Sequence, residues 1–96
     1  MSPLNKKKLN LLRSKLDNLD NNLLKLIKER SKLVNEVLKV KIYKKEIIDQ
    51  KRINSILKSI KKKSIKLNID SKITKRIWKN MIWSFIDYEK RNFKKK

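Results

Sequence analysis

One apolar series constrains this chain more than any other feature: Leu9, Leu12, Leu16, Leu19, Leu23 and Leu26, then Arg30, then Leu33, Val37 and Val40. The steps alternate between three and four residues, the signature of an amphipathic helix with a coiled-coil-like seam. No glycine or proline interrupts the stretch between Leu4 and Ile47. One helix of roughly 35 to 40 residues and about 55 Å follows, at 1.5 Å per residue. A helix that long needs a partner along much of its length.

The rest of the chain reads in the same register. Periodicity is lost over Tyr43-Lys44-Lys45-Glu46, which reads as a connection. Asp49 can then cap a second helix carrying Ile53, Ile56, Leu57, Ile60 and Ile65. Asn68, Asp70 and Ser71 supply the next cap residues. Ile73, Ile77, Trp78, Met81, Ile82, Phe85, Ile86 and Glu89 mark a third helix. The expected helices cover about 5–42, 49–66 and 71–92 in a single domain spanning 1–96, with a fraying basic tail from Asn92 onward. With no glycine and only Pro3 as proline, tight β-turns lack their usual residues, so the fold class is all-α. Ninety-six residues make a modest core, and a second copy is the expected way to complete it.

Composition narrows the chemistry. There is no cysteine and no histidine, which removes thiolate nucleophiles, the common zinc signatures and the usual proton shuttle. No metal and no cofactor are expected. Twenty-nine Lys and Arg against nine Asp and Glu give a formal charge of +20, which attracts anions of any size. Many of those lysines are expected to do no more than solvate the surface. No run approaches the ~20 apolar residues of a membrane span or the length of a signal peptide, so the expectation is a cytoplasmic protein without a membrane partner.

Four residues stand out of place. Arg30 interrupts the apolar seam, where an unpaired guanidinium would cost several kcal/mol. It requires a negative partner, either a carboxylate such as Asp17 or Asp20 or the carboxylate of a ligand, which a planar guanidinium grips bidentately. Lys41 lies eleven residues on, only about 20° around the helix and about 16 Å along it, so both side chains can converge on one molecule. Arg13 lies about 25 Å back along the same rod, on a different face. It could reach that molecule only from a partner's helix. On the third helix Trp78, Ile82, Phe85 and Glu89 step by four, three and four, so the Glu89 carboxyl continues an apolar stripe and reads either as an end-of-helix glutamate paired with a lysine or as a site carboxyl.

These residues form a pattern. LRSKLDNLDNNLLKLIKERSKLVNEVLKVK, from Leu12 to Lys41, resembles the first helix of the all-helical chorismate mutases; IIDQKR at 47–52 resembles their entry to helix two, and IWKNMIWSFIDYE at 77–89 their last helix. The first helix carries the most specific match. The resemblance implies three helices per chain, one long and two shorter, in an intertwined homodimer with composite active sites. It implies rearrangement of chorismate to prephenate, the step toward phenylalanine and tyrosine. Arg13 of the partner subunit and Arg30 would bind the substrate carboxylates, and Lys41 the ether oxygen and second carboxylate region. Asp49 and Arg52 would line the site where helix two begins. Glu89 matches the glutamine or glutamate that donates to the ether oxygen.

Two positions depart from the family pattern. Ile53 stands where a glutamate would meet the ring hydroxyl, and Phe85 where a serine often lies. Both features are similar to those of isochorismate-pyruvate lyases, which share the fold, whereas Asp49 and Glu89 fit the mutase better. A basic helical nucleic-acid-binding module, with Tyr43, Trp78, Trp83 and Tyr88 stacking on bases, is the alternative from another class. Against it, the lysines are dispersed and no recognised nucleic-acid motif is present, so no specific nucleic acid is expected as a partner.

Overall fold

The computed structural model describes residues 1–94. It contains three α-helices, α1 (Pro3–Val40), α2 (Gln50–Lys66) and α3 (Ser71–Asn92), with a single 3₁₀ turn at Lys44–Ile47. No strand occurs among the described residues. The all-α class, with one long and two shorter helices, is therefore as the periodicity predicts.

Local chemistry sets each helix end. α1 begins at Pro3 rather than near residue 5, because Ser2 and Pro3 form a start signal: the Ser2 hydroxyl accepts from the Asn5 N–H at 3.1 Å and Pro3 fills the first helical position. At the other end the Lys41 N–H is shared between the carbonyls of Val37 and Leu38, both at 3.3 Å, and the helix stops at Val40. Glu46 ties the connection down, its carboxylate accepting from the Ile42 and Tyr43 N–H groups at 3.4 and 3.3 Å. Asp49 caps α2 as expected, accepting from the Arg52 N–H at 3.0 Å, and Asp70 caps α3 through the Lys72 N–H at 2.9 Å.

The turn between α2 and α3 meets a demand that glycine usually meets. Asn68 takes φ 56°, the left-handed conformation that follows many helix C-termini. The Ile69 N–H then bonds the Ser64 carbonyl at 2.9 Å and the Asn68 N–H bonds Ile65 at 3.2 Å, the paired bonds of a Schellman motif. In a chain without glycine, asparagine is the residue that tolerates this geometry best.

By backbone contact the chain divides into two compact units, Met1–Leu33 and Val34–Lys96. In the first, every side chain is exposed except half-buried Leu9, Arg30 and Ser31. In the second, Leu38, Ile47, Ile53, Ile82 and Ile86 form the core, with Ile56, Leu57, Trp78 and Phe93 packed around it. A polar clasp joins α2 to α3: the buried Ser64 hydroxyl donates to the Ile60 carbonyl at 2.6 Å and lies 2.7 Å from the Thr74 hydroxyl. Phe93 packs on this core, so the tail expected to fray is anchored at least that far, and Lys95 and Lys96 lie outside the described residues.

The Asn68 turn yields a direct test. Replacing Asn68 with Gly is expected to leave thermal stability equal or slightly raised, whereas Asn68→Val should lower it by about 1–2 kcal/mol, the cost of a β-branched residue in the left-handed region. Chemical denaturation of the two variants reads the difference.

Candidate active site

Glu89 is the most conspicuous polar group in the molecule. It is 5% exposed, on the α3 face that also buries Ile82 and Ile86. A carboxylate held there without compensation would be costly. Compensation comes from Lys41, just beyond the end of α1, whose ammonium donates to Oε1 at 3.1 Å and to Oε2 at 3.4 Å. Both side chains are largely withdrawn from water, at 18% and 7% exposure, so this pair is screened far less than the exposed Arg91–Asp87 pair on the same helix.

Two neighbours of the pair set its position. One residue before Glu89, Tyr88 donates its hydroxyl to Asn35 Oδ1 at 2.8 Å, and Leu38 lies in the core between Asn35 and Lys41 along the helix. The last turns of α1 are thus fastened to α3 by a polar bond, an apolar contact and an ion pair in succession. Neither Asn35 nor Tyr88 is evident from the sequence as a site-supporting residue. Asn35 lies off the apolar seam, and nothing in its local pattern distinguishes it from solvated asparagines.

The other candidates are distributed as follows. Asp49 and Arg52 are exposed at the start of α2, where the Asp49 carboxylate is engaged with the Arg52 backbone N–H. Ile53 points into the core, 6% exposed among Leu38, Ile47, Ile82 and Ile86. Phe85 is half-buried on α3. Arg30 is half-buried and Arg13 exposed, both within the first unit. Of the residues singled out by sequence, Lys41 and Glu89 are joined by a direct bond across 48 positions of chain.

Of the four aromatic rings that could stack on bases, three have partners within the protein, and Lys45 lies 5.5 Å above Tyr43. Trp78 packs on the core, and Tyr88 bonds Asn35 with Arg91 6.0 Å above its ring.

A family model for type II chorismate mutases matches residues 12–90, most of the chain. The chain belongs to the type II chorismate mutase family. The match spans the Leu12–Lys41 helix as well as Glu89, so both halves of the Lys41–Glu89 pair fall within the chorismate mutase region. No curated protein and no solved structure matches the chain. Among the described residues, no helix is long and apolar enough to cross a membrane.

The pair makes a stability prediction of its own. Lys41→Met leaves the buried Glu89 carboxylate without its cation and is expected to cost about 3 kcal/mol. Adding Glu89→Leu should restore much of that loss, because an apolar pair of similar volume needs no compensation. Urea unfolding of the wild type, the single variant and the double variant gives the comparison.

Proposed function

We propose that this protein is a chorismate mutase that converts chorismate to prephenate, a step toward phenylalanine and tyrosine, in the cytoplasm. The observation that carries the reading is the buried Lys41–Glu89 pair, a cation and a carboxyl held together in a largely desolvated setting. The reaction is an intramolecular rearrangement: one carbon–oxygen bond breaks as one carbon–carbon bond forms, and no nucleophile is needed. Catalysis rests on holding the dianion in its compact conformer and stabilising negative charge on the ether oxygen as that bond stretches.

Lys41 and Glu89 are the groups assigned to the ether oxygen. Lys41 supplies a fixed positive charge and a hydrogen bond. Glu89 can donate only as the protonated acid. Both Glu89 oxygens accept from Lys41, so the ether oxygen would compete with Glu89 for the lysine. By family resemblance, Arg30 and Arg13 of the partner subunit hold the substrate carboxylates, and Asp49 and Arg52 border the site at the start of α2.

Assembly as a homodimer supports this arrangement. The seam of α1 is uncovered in the single chain: Leu12, Leu16, Leu19, Leu23 and Leu26 are all about half exposed or more. So many aligned leucines left in water would be a large apolar stripe for a monomer. A second copy buries them and delivers Arg13 to its partner.

The lyase reading draws on Ile53, whose burial leaves an apolar side chain where a carboxylate would meet the ring hydroxyl. Incubating the protein with chorismate and, in parallel, with isochorismate decides between the two. Prephenate that disappears with Arg30→Ala supports the mutase; salicylate and pyruvate from isochorismate would replace it with the lyase; turnover of neither by a folded dimer would remove both.

Further outcomes are expected. Lys41→Ala should lower turnover on the order of 100-fold, the usual scale for one preorganised donor. Glu89→Gln keeps a hydrogen-bond donor at that position and should retain turnover, whereas Glu89→Ala removes it and should lower turnover on the order of 100-fold. Leu19→Lys together with Leu23→Lys should shift the protein to monomer in sedimentation equilibrium and abolish turnover.

A further inference from the structure

A second cationic site lies between α2 and α3, built from residues that the Lys41–Glu89 pair does not use. A groove of about 450 Å³ runs there, within the range of small-molecule sites. Leu57, Ile60 and Thr74 contribute to its lining, and four lysines stand around it: Lys58 and Lys61 from α2, Lys72 and Lys75 from α3. No carboxylate lines it. None of the four lysines has an ion-pair partner among the described residues.

The surrounding sequence strengthens the field. From Lys51 to Ile86 there are eleven Lys or Arg and a single acid, Asp70, whose carboxylate accepts from the Lys72 backbone N–H at 2.9 Å. Like charges gathered around one concavity with low-dielectric walls repel one another and focus a positive potential into it. An anion in the groove relieves that repulsion, and an apolar body on the same anion covers the leucine and isoleucine.

We propose that this groove binds a small polyanion carrying an apolar ring, of the nucleoside polyphosphate kind. Four lysine charges complement the several negative charges of a phosphate chain. The absence of a carboxylate disfavours a zwitterion such as a free amino acid, whose ammonium would find no partner. The limited volume and apolar lining disfavour a duplex, which presents charge without an apolar face.

The test uses the full-length protein with ATP, inorganic triphosphate and adenosine as probes, by calorimetry at about 0.15 M salt, where diffuse surface attraction is largely screened. ATP is expected to saturate at one per chain and to bind tighter than triphosphate, with adenosine alone weak. Changing Lys58, Lys61, Lys72 and Lys75 to Gln should weaken ATP about tenfold or more, as expected for the loss of several charge-assisted contacts. Removing the same charge at Lys6, Lys7, Lys8 and Lys94 should weaken it by less than about threefold. Equal losses in the two variants, or unsaturable binding, would overturn the proposal in favour of nonspecific attraction.

Amide shifts in the unaltered protein give a readout that does not depend on the variants folding. Perturbation confined to residues 57–75 supports the groove. Perturbation centred on Lys41 and Glu89 would instead place ATP at the candidate active site and sink the idea. Chorismate turnover enters none of these measurements, so their failure is separable from failure of the mutase reading.

Discussion

A carboxyl inside an apolar helix face dominates the organisation of this molecule. Glu89 shares the buried surface of α3 with Ile82 and Ile86, and another part of the same chain must supply a cation where it lies. Lys41 does so from the first residue past α1, positioned by the point at which that helix stops. Leu38 in the core and Asn35 against Tyr88 hold the same stretch of α1 in register. Stability and candidate chemistry thus meet in one pair. A carboxylate–ammonium contact is no better for stability than a well-packed apolar one.

Much of the architecture could be read from the sequence because helices announce themselves by period and by their caps. Asp49 and Asp70 stand where the expected caps stand, and the loss of period at Tyr43 marks the connection. What escaped was of two kinds. The Ser2-Pro3 start is a local signal that apolar periodicity does not weigh. Leu38 is a deeper case: it lies off the seam, on the side of α1 that packs within the chain, and a single leucine among lysines and valines has no period to reveal it. The seam that periodicity finds so readily contains Leu33, Val37 and Val40, which are 62%, 48% and 75% exposed. A hydrophobic pattern reports that a face is apolar, not which surface will cover it.

The candidate site was legible to a similar degree. Glu89 could be recognised because a charge in an apolar stripe violates the period, and Lys41 because of its angular relation to Arg30. A lysine partner for an end-of-helix glutamate was legible too, whereas the direct bond to Lys41 depends on how α3 returns across the end of α1. Ile53 shows the reverse: a family position that suggests contact with substrate, yet one whose own chemistry sends it into the core. Tyr88 and Asn35 were invisible for a simpler reason, since hydrogen bonds between distant polar side chains leave no trace in local spacing.

The bond between Lys41 and Glu89 joins residues 48 apart in the chain, so it closes a loop containing the connection, α2 and nearly all of α3. Closing such a loop carries an entropic penalty that grows only slowly with its length, but it cannot be met piecemeal. Fraying of α3, or opening of the α2–α3 turn, separates the ammonium from the carboxyl before either helix is lost. Hydrogen-exchange protection around the pair then reports these partial openings as well as the global opening of the unit. The ion pair is therefore a property of the closed unit, and a partly opened form does not hold its two halves together.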